Sequence, residues 1–247
     1  MWTTAAEAKA LGLSSATETE GNSAASFTYR LGGAGAASFS PSGADVLLTG
    51  ASGLAAASNG ARYALTVTAN DTATMLSSPA VPLNLVVGSA GTDTVPLATS
   101  VGSAATATPT FVFGLAGNDP INGTGMTGKL WIDGGAGADT MTGGSGPNSF
   151  LYGAASDSTA SAMDIIGSFH SATDTINLRG LGGHALSFAG KFSGTKLAAY
   201  SVGYRTSGGN ILAYVNTSSS SEALTATNMK IELLGSISLT SGNILHV

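Results

Sequence analysis

Apolar and polar residues alternate in several short stretches of this chain, and the alternation predicts strands. Tyr63, Leu65, Val67 and Ala69 interleave with Arg62, Ala64, Thr66 and Thr68, the period of a half-buried strand. Val81, Leu83, Leu85 and Val87 interleave with Pro82 and Asn84, and the proline predicts a strand at a sheet edge. Phe27-Thr28-Tyr29 and Asp45-Val46-Leu47-Leu48 are shorter candidates. Gly32-Gly33, Pro41-Ser42-Gly43, Ser58-Asn59-Gly60 and Asn70-Asp71 supply the turns between them. Strands at this spacing predict a β-sandwich over residues 25–87. Ahead of it, residues 1–24 form an arm with a short helical stretch, Thr4 to Leu11, stopped by Gly12. Further strands are expected at Thr110 to Phe113, Leu186 to Phe188, Leu197 to Tyr200, Ile211 to Val215 and Lys230 to Leu234.

From Gly88 a second period appears. Gly134 to Thr142 reads G-G-x-G-x-D-x-U-x, where U is large and apolar, at every specified position. Stretches starting at Gly88, Gly114, Gly125 and Gly143 keep glycine at the first and fourth positions, with Val95, Ile121, Ile132 and Phe150 at the eighth. With 35 glycines in the chain one match would mean little; apolar residues in phase with them are the stronger signal. This nonapeptide resembles the calcium-binding repeat of RTX proteins, and the resemblance implies a parallel β-roll over 88–152. Two nonapeptides make one turn, so loops from alternate repeats share an edge. Asp119 and Asp139 are then expected on one edge, Leu130 and Asn148 on the other.

Charge sharpens the chemistry. The net charge is −5, only 9% of residues are charged, and cysteine is absent. Between Asp93 and Asp174 seven acids (Asp93, Asp119, Asp133, Asp139, Asp157, Asp164 and Asp174) face one base, Lys129. Such bias repels nucleic acid and anionic membranes and attracts cations. Calcium takes six to eight oxygens, which carboxylates and glycine-loop carbonyls can provide. The principal site is expected between Asp119 and Asp139, with backbone oxygen from the loops of Gly114, Gly117, Gly134 and Ala136. Asp93, Asp133, Asn148, Asp157 and Asp164 are further candidate ligands, with turn capping the expected role for Asp164 and Asp174.

Two longer resemblances follow. Phe27 to Leu31, Ala37 to Ser40 and Tyr63-Ala64-Leu65-Thr66-Val67-Thr68-Ala69-Asn70-Asp71 resemble a bacterial cadherin-like domain. No carboxylate stands in Ala55 to Gly60, so the resemblance implies the strands and not interdomain calcium binding. Gly153 to Thr159, Asp164-Ile165-Ile166-Gly167-Ser168-Phe169 and Asp174-Thr175-Ile176-Asn177-Leu178 resemble the C-terminal domain of serralysin-type proteins. That family reads D-x-I-x-D-F and D-x-I-D-L, so Ser168 and Asn177 replace two aspartates. The resemblance implies a roll closed by a cap over 153–247. The tail, Ile237 to Val247, is similar to the apolar C-termini that serve as uncleaved signals for the type I secretion machinery. The first residues, Met1-Trp2-Thr3-Thr4-Ala5, do not read as a cleavable signal peptide. No apolar run reaches the ~18 residues of a membrane span.

Catalytic constellations are not found. The histidines, His170, His184 and His246, form no H-E-x-x-H, and no G-x-S-x-G elbow or phosphate loop occurs. The expectation is an extracellular, all-β, non-enzymatic protein with calcium as its cofactor. Its role would be structural or adhesive, in a surface layer, filament or matrix, self-assembling through strand edges such as the uncharged Ile211 to Val215. The alternatives are an export or targeting module of an enzyme, or ligand capture of the haem type by His184 with Tyr200 or Tyr204.

Overall fold

The computed structural model describes residues 27–33, 36, 39–42, 45–48, 60–71, 77–181, 183–235 and 237–246. The arm 1–24, with its expected helix, lies outside them. The first strands are β1 (Phe27–Gly33), β2 (Phe39–Ser42), β3 (Asp45–Leu48), β4 (Ala61–Asp71), β5 (Val81–Val87) and β6 (Val95–Pro96). A single turn of helix, α1 (Leu97–Val101), precedes β7 (Thr110–Phe113), β8 (Pro120–Asn122), β9 (Leu130–Asp133), β10 (Thr140–Thr142) and β11 (Asn148–Leu151). Then come β12 (Asp164–Gly167), β13 (Thr175–Asn177), β14 (Ser187–Lys191), β15 (Lys196–Leu197) and β16 (Ser201–Ser207). The last are β17 (Asn210–Asn216), β18 (Glu222–Ala223), β19 (Met229–Leu233) and β20 (Ile244–Leu245).

Two eight-stranded sheets organise the chain, in the orders β1-β4-β5-β7-β9-β11-β13-β20 and β14-β16-β17-β19-β12-β10-β8-β6. From β5 to β13 successive strands enter the two sheets alternately, and within each sheet they pair in parallel. This is a roll. After an insertion carrying β14 to β18, the chain returns to it: β19 pairs parallel with β12, and β20 with β13. The apolar tail is therefore woven into the last turn, with Leu239 and Ile244 buried.

The eighth position of each repeat fills the space between the sheets. Val95, Ile121, Ile132, Met141 and Phe150 are all at most 1% exposed. Each contributes roughly 1.5–3 kcal/mol by leaving water, enough to decide which side of a three- or four-residue strand turns inward. The opposite side of the first sheet is also apolar. Leu83, Leu85, Val87, Phe111, Phe113 and Trp131 are buried there, against Leu31, Ala36, Tyr63, Val67 and Leu115.

Three expectations are corrected here. The sandwich expected over 25–87 does not emerge among the described residues. Instead β1, β4 and β5 extend the roll's own sheet, with Phe27 opposite Asp71 and Leu83 opposite Leu65, and β2 pairs only with β3. Segments that carry the cadherin-like resemblance thus lie in β1 and β4 as neighbours; Ala37 and Ser38 fall outside the described residues. Second, β5 is interior despite Pro82. The Asn84 N–H reaches Pro109 O on the β7 side. Two residues earlier, Pro82 has its nitrogen on that same side, but β7 pairing starts only at Asn84, so no ladder donor is lost. Third, Ile211 to Val215 lies in β17, paired on both sides by β16 and β19, and presents no edge.

Candidate metal centre

The loops that pass from the first sheet to the second bring four aspartates into one buried column. Each backbone N–H donates to the side chain of the next turn: Asp93 to Asp119 Oδ1 (2.7 Å), Asp119 to Asp139 Oδ1 (2.8 Å) and Asp139 to Asp164 Oδ1 (2.8 Å). The Asp164 N–H ends the series on Ser158 Oγ at 2.8 Å. All four aspartates are 2% exposed or less.

The glycines of the repeat make room for this column. A Cβ on Gly134 would stand 2.2 Å from Asp139 Oδ2, and one on Gly114 would stand 2.6 Å from Asp119 Oδ2. The first glycine therefore lies against the carboxylate of its own repeat. The fourth, Gly117 and Gly137, takes φ of 134° and 147°, a conformation that L side chains rarely adopt.

The second carboxylate oxygens are the unusual feature. Asp93 Oδ2 accepts the Ser89 N–H. Among the described residues, Asp119 Oδ2 and Asp139 Oδ2 are buried with no hydrogen-bond partner, while the buried Asp164 carboxylate has the Tyr152 hydroxyl beside it. Burial lifts the Asp119 carboxyl above its ordinary value, and the neighbouring Asp93 charge adds to this. It pushes Asp139 up to about 6 and Asp164 up to about 8, with the adjacent column carboxylate contributing in each case. Tyr152, held well above its ordinary value by burial and then by Asp164, adds no positive charge. Ionised carboxylates buried without a counter-charge are strongly unfavourable.

The opposite edge is built differently. Asn148 N–H donates to Asp174 Oδ1 (2.9 Å) and the Asn148 amide Nδ2 to Asp174 Oδ2 (3.0 Å), while Asn148 Oδ1 accepts the Gly144 N–H. His170 N–H also donates to Asp174 Oδ2, and Asn243 Nδ2 reaches the Asp174 carbonyl. Both oxygens of Asp174 are satisfied, and an amide takes the place of the carboxylate found in the first column.

Of the candidate ligands, Asp93, Asp119, Asp139 and Asp164 share the column; Asp164, whose expected role was turn capping, opens β12 and accepts the N–H of Asp139 from the adjacent turn instead. Asp157 stands beside it but caps its own loop, accepting N–H groups from Gly153 (2.9 Å) and Ala154 (2.7 Å). Asp133 ends β9, between Phe113 and Leu151, and is not part of the hydrogen-bonded series. Gly114, Gly117, Gly134 and Ala136 lie in the stacked loops, where the Ala136 carbonyl already accepts the Gly117 N–H at 2.9 Å. Asn148 belongs to the other edge. Tyr152 was missed; its signal was a hydroxyl two residues after Phe150, on the inward side. His184 and Tyr200 do meet, with ring centroids 4.3 Å apart, but they pack on each other.

Oxygen is the only donor element in the column, which fits a hard divalent cation and not a thiolate- or imidazole-seeking metal. Among the described residues no three acidic, histidine or cysteine side chains converge on one point. A cation there would need the carboxylates of two adjacent turns plus backbone carbonyls.

Two facing parallel sheets wound by alternating strands, with glycine–aspartate loops stacked along one edge, define a parallel β-roll of RTX type. The chain belongs to the Peptidase M10 serralysin C-terminal family, whose model matches residues 37–245. Among solved structures it is similar to two subunits of the Azotobacter vinelandii mannuronan C5-epimerase. The AlgE6R2 subunit is 23% identical, over 65% of this chain and 91% of that one, with a TM-score of 0.42. The AlgE6R3 subunit is 20% identical, over 65% and 76%, with a TM-score of 0.33. No curated protein matches the chain.

Proposed function

We propose that this chain is a secreted, non-catalytic module whose roll is ordered by calcium. The observation that carries the reading is the pair of buried, unpartnered Oδ2 atoms on Asp119 and Asp139, on adjacent turns. Asp119 and Asp139 would hold the ion between adjacent turns, with carbonyls of the Gly114 and Gly134 loops. When bound, the ion supplies the positive charge that the column lacks. The aspartates' Oδ1 atoms remain committed to inter-turn N–H groups, so the carboxylates are oriented before any ion arrives. Membership of the serralysin C-terminal family supports export by a type I pathway. No helix among the described residues is long and apolar enough to cross a membrane.

The test is a melt and a circular dichroism spectrum in millimolar calcium and in excess chelator. Chelation lowers the melting temperature and the β signal; identical curves overturn the reading. The non-catalytic part is tested separately: turnover of casein, simple esters or β-glycans, abolished by a point substitution in the chain, would refute it.

A structural or adhesive role is the narrower form of the proposal, with self-association through a strand edge. Charged residues make up only 9% of the chain, which leaves little repulsion between copies. The long terminal strand β1 heads the first sheet, whereas β14 at the end of the second has a bulge and Lys191, both edge protections. Sedimentation in millimolar calcium decides: a clean monomer at high concentration removes assembly. The second reading, an export or targeting module of an enzyme, is favoured by the family itself, described as a peptidase C terminus.

A further inference from the structure

We infer that the outer face of the first sheet carries a binding site for an acidic saccharide, separate from the carboxylate column. Ile132, Phe150 and Ile176 turn into the roll core, so Trp131, Ser149, Thr175 and Asn177 turn outward. Along the cross-strand row Phe111–Trp131–Ser149–Thr175 the face changes from apolar to polar. A cavity of about 270 Å³ opens at that change.

Its floor is formed by Trp131, Ser149 and Asn177, each 9% exposed or less, while the exposed Lys129 and Arg179 stand at its margin. The Lys129 ammonium is held 4.4 Å from the centre of the Trp131 ring, and Phe111 stacks on that ring at 4.2 Å. The aromatic pair thus fixes a cation at the mouth. Among the described residues the one ion pair is His170–Asp174, so neither Lys129 nor Arg179 is neutralised by a carboxylate. No acid lines the cavity, although seven acids surround Lys129 in the sequence between Asp93 and Asp174.

The neutral groups also present donors. Thr175 Oγ1 donates to Ser149 Oγ at 3.0 Å, which leaves the Ser149 proton for another acceptor. Asn177 Oδ1 accepts the Arg179 N–H at 3.1 Å, which leaves the amide nitrogen as its outward donor. Two cations and two neutral donors select an oxyanion. The apolar edges of Trp131 and Leu245 beside them suit the C–H face of a sugar ring, and the hydroxyl and amide suit its hydroxyls. A carboxylate on a polyhydroxylated ring satisfies all of these groups together.

The experiment is an NMR titration of the ¹⁵N-labelled full chain, in the same millimolar calcium throughout. The chain has two tryptophans, and Trp2→Phe leaves the Trp131 indole N–H as the single indole signal. Glucuronate, glucose, acetate and sulfate are added in separate arms. Glucuronate is expected to shift this signal saturably and more tightly than the other three. Arg179→Gln and Lys129→Gln, both at exposed positions, are each expected to weaken it about tenfold with an unchanged melting temperature. No saturable shift overturns the site. An equal response to acetate or sulfate reduces it to a bare anion site and overturns the saccharide assignment. A glucuronate shift untouched by both variants places binding elsewhere and also overturns it.

Discussion

Asp139→Asn should make the metal-free protein more stable while abolishing its response to calcium. The Asp139 carboxyl is pushed by burial from an ordinary 3.8 to about 6, a difference worth about 3 kcal/mol between its protonation states. The folded value lies above the unfolded one. That stability is therefore fully present below the ordinary 3.8 and is lost as pH rises through about 6. Asp164, raised to about 8, extends the loss to higher pH. An amide at 139 never ionises. Its oxygen can still accept the Asp119 N–H, and its nitrogen can face Asp164 Oδ2 much as the Asn148 nitrogen faces Asp174 Oδ2. In excess chelator the gain should be near zero at about pH 4 and approach about 3 kcal/mol at about pH 8. Denaturant unfolding of both proteins at the two pH values, with chelator and with millimolar calcium, measures it. A variant less stable than the parent in chelator at the higher pH, or one that keeps the full calcium response, would refute the reasoning.

Asn148→Asp places a second carboxylate against Asp174 and removes the amide donor; in chelator at neutral pH it should cost about 2 kcal/mol or more, read from the denaturation midpoint. Gly137→Ala would set a Cβ 1.6 Å from the Gly117 carbonyl oxygen at φ 147°. It should destabilise by more than about 3 kcal/mol and lose the calcium-dependent shift of the melt. Met141→Ala empties a fully buried core position and should cost about 2–5 kcal/mol with or without calcium, since it touches no carboxylate.

Much of the roll was legible because its repeat is local. Glycine at the first and fourth positions and an apolar residue at the eighth specify a loop and a short inward-facing strand within nine residues. Two such units per turn suffice to place Asp119 beside Asp139, and Leu130 beside Asn148 on the opposite edge. The serralysin-type resemblance was carried in the same way, by short strings such as Asp174 to Leu178.

Other features depended on pairings between distant residues. Asp164 joins the column 25 residues after Asp139, beyond the last repeat, because the turns stack on backbone hydrogen bonds indifferent to loop length. Alternation describes an edge strand and an interior strand alike, so β5 and β17 could not be placed from their own residues. Their positions were decided by which backbone lay free beside them, β7 for one and β16 with β19 for the other. By itself, then, the sequence determined the period, the inward positions and the chemistry of the loops, all set within a few residues. Only the tertiary structure decided which carboxylate oxygens lose both water and hydrogen-bond partners, because burial is a property of the stack and not of any one turn.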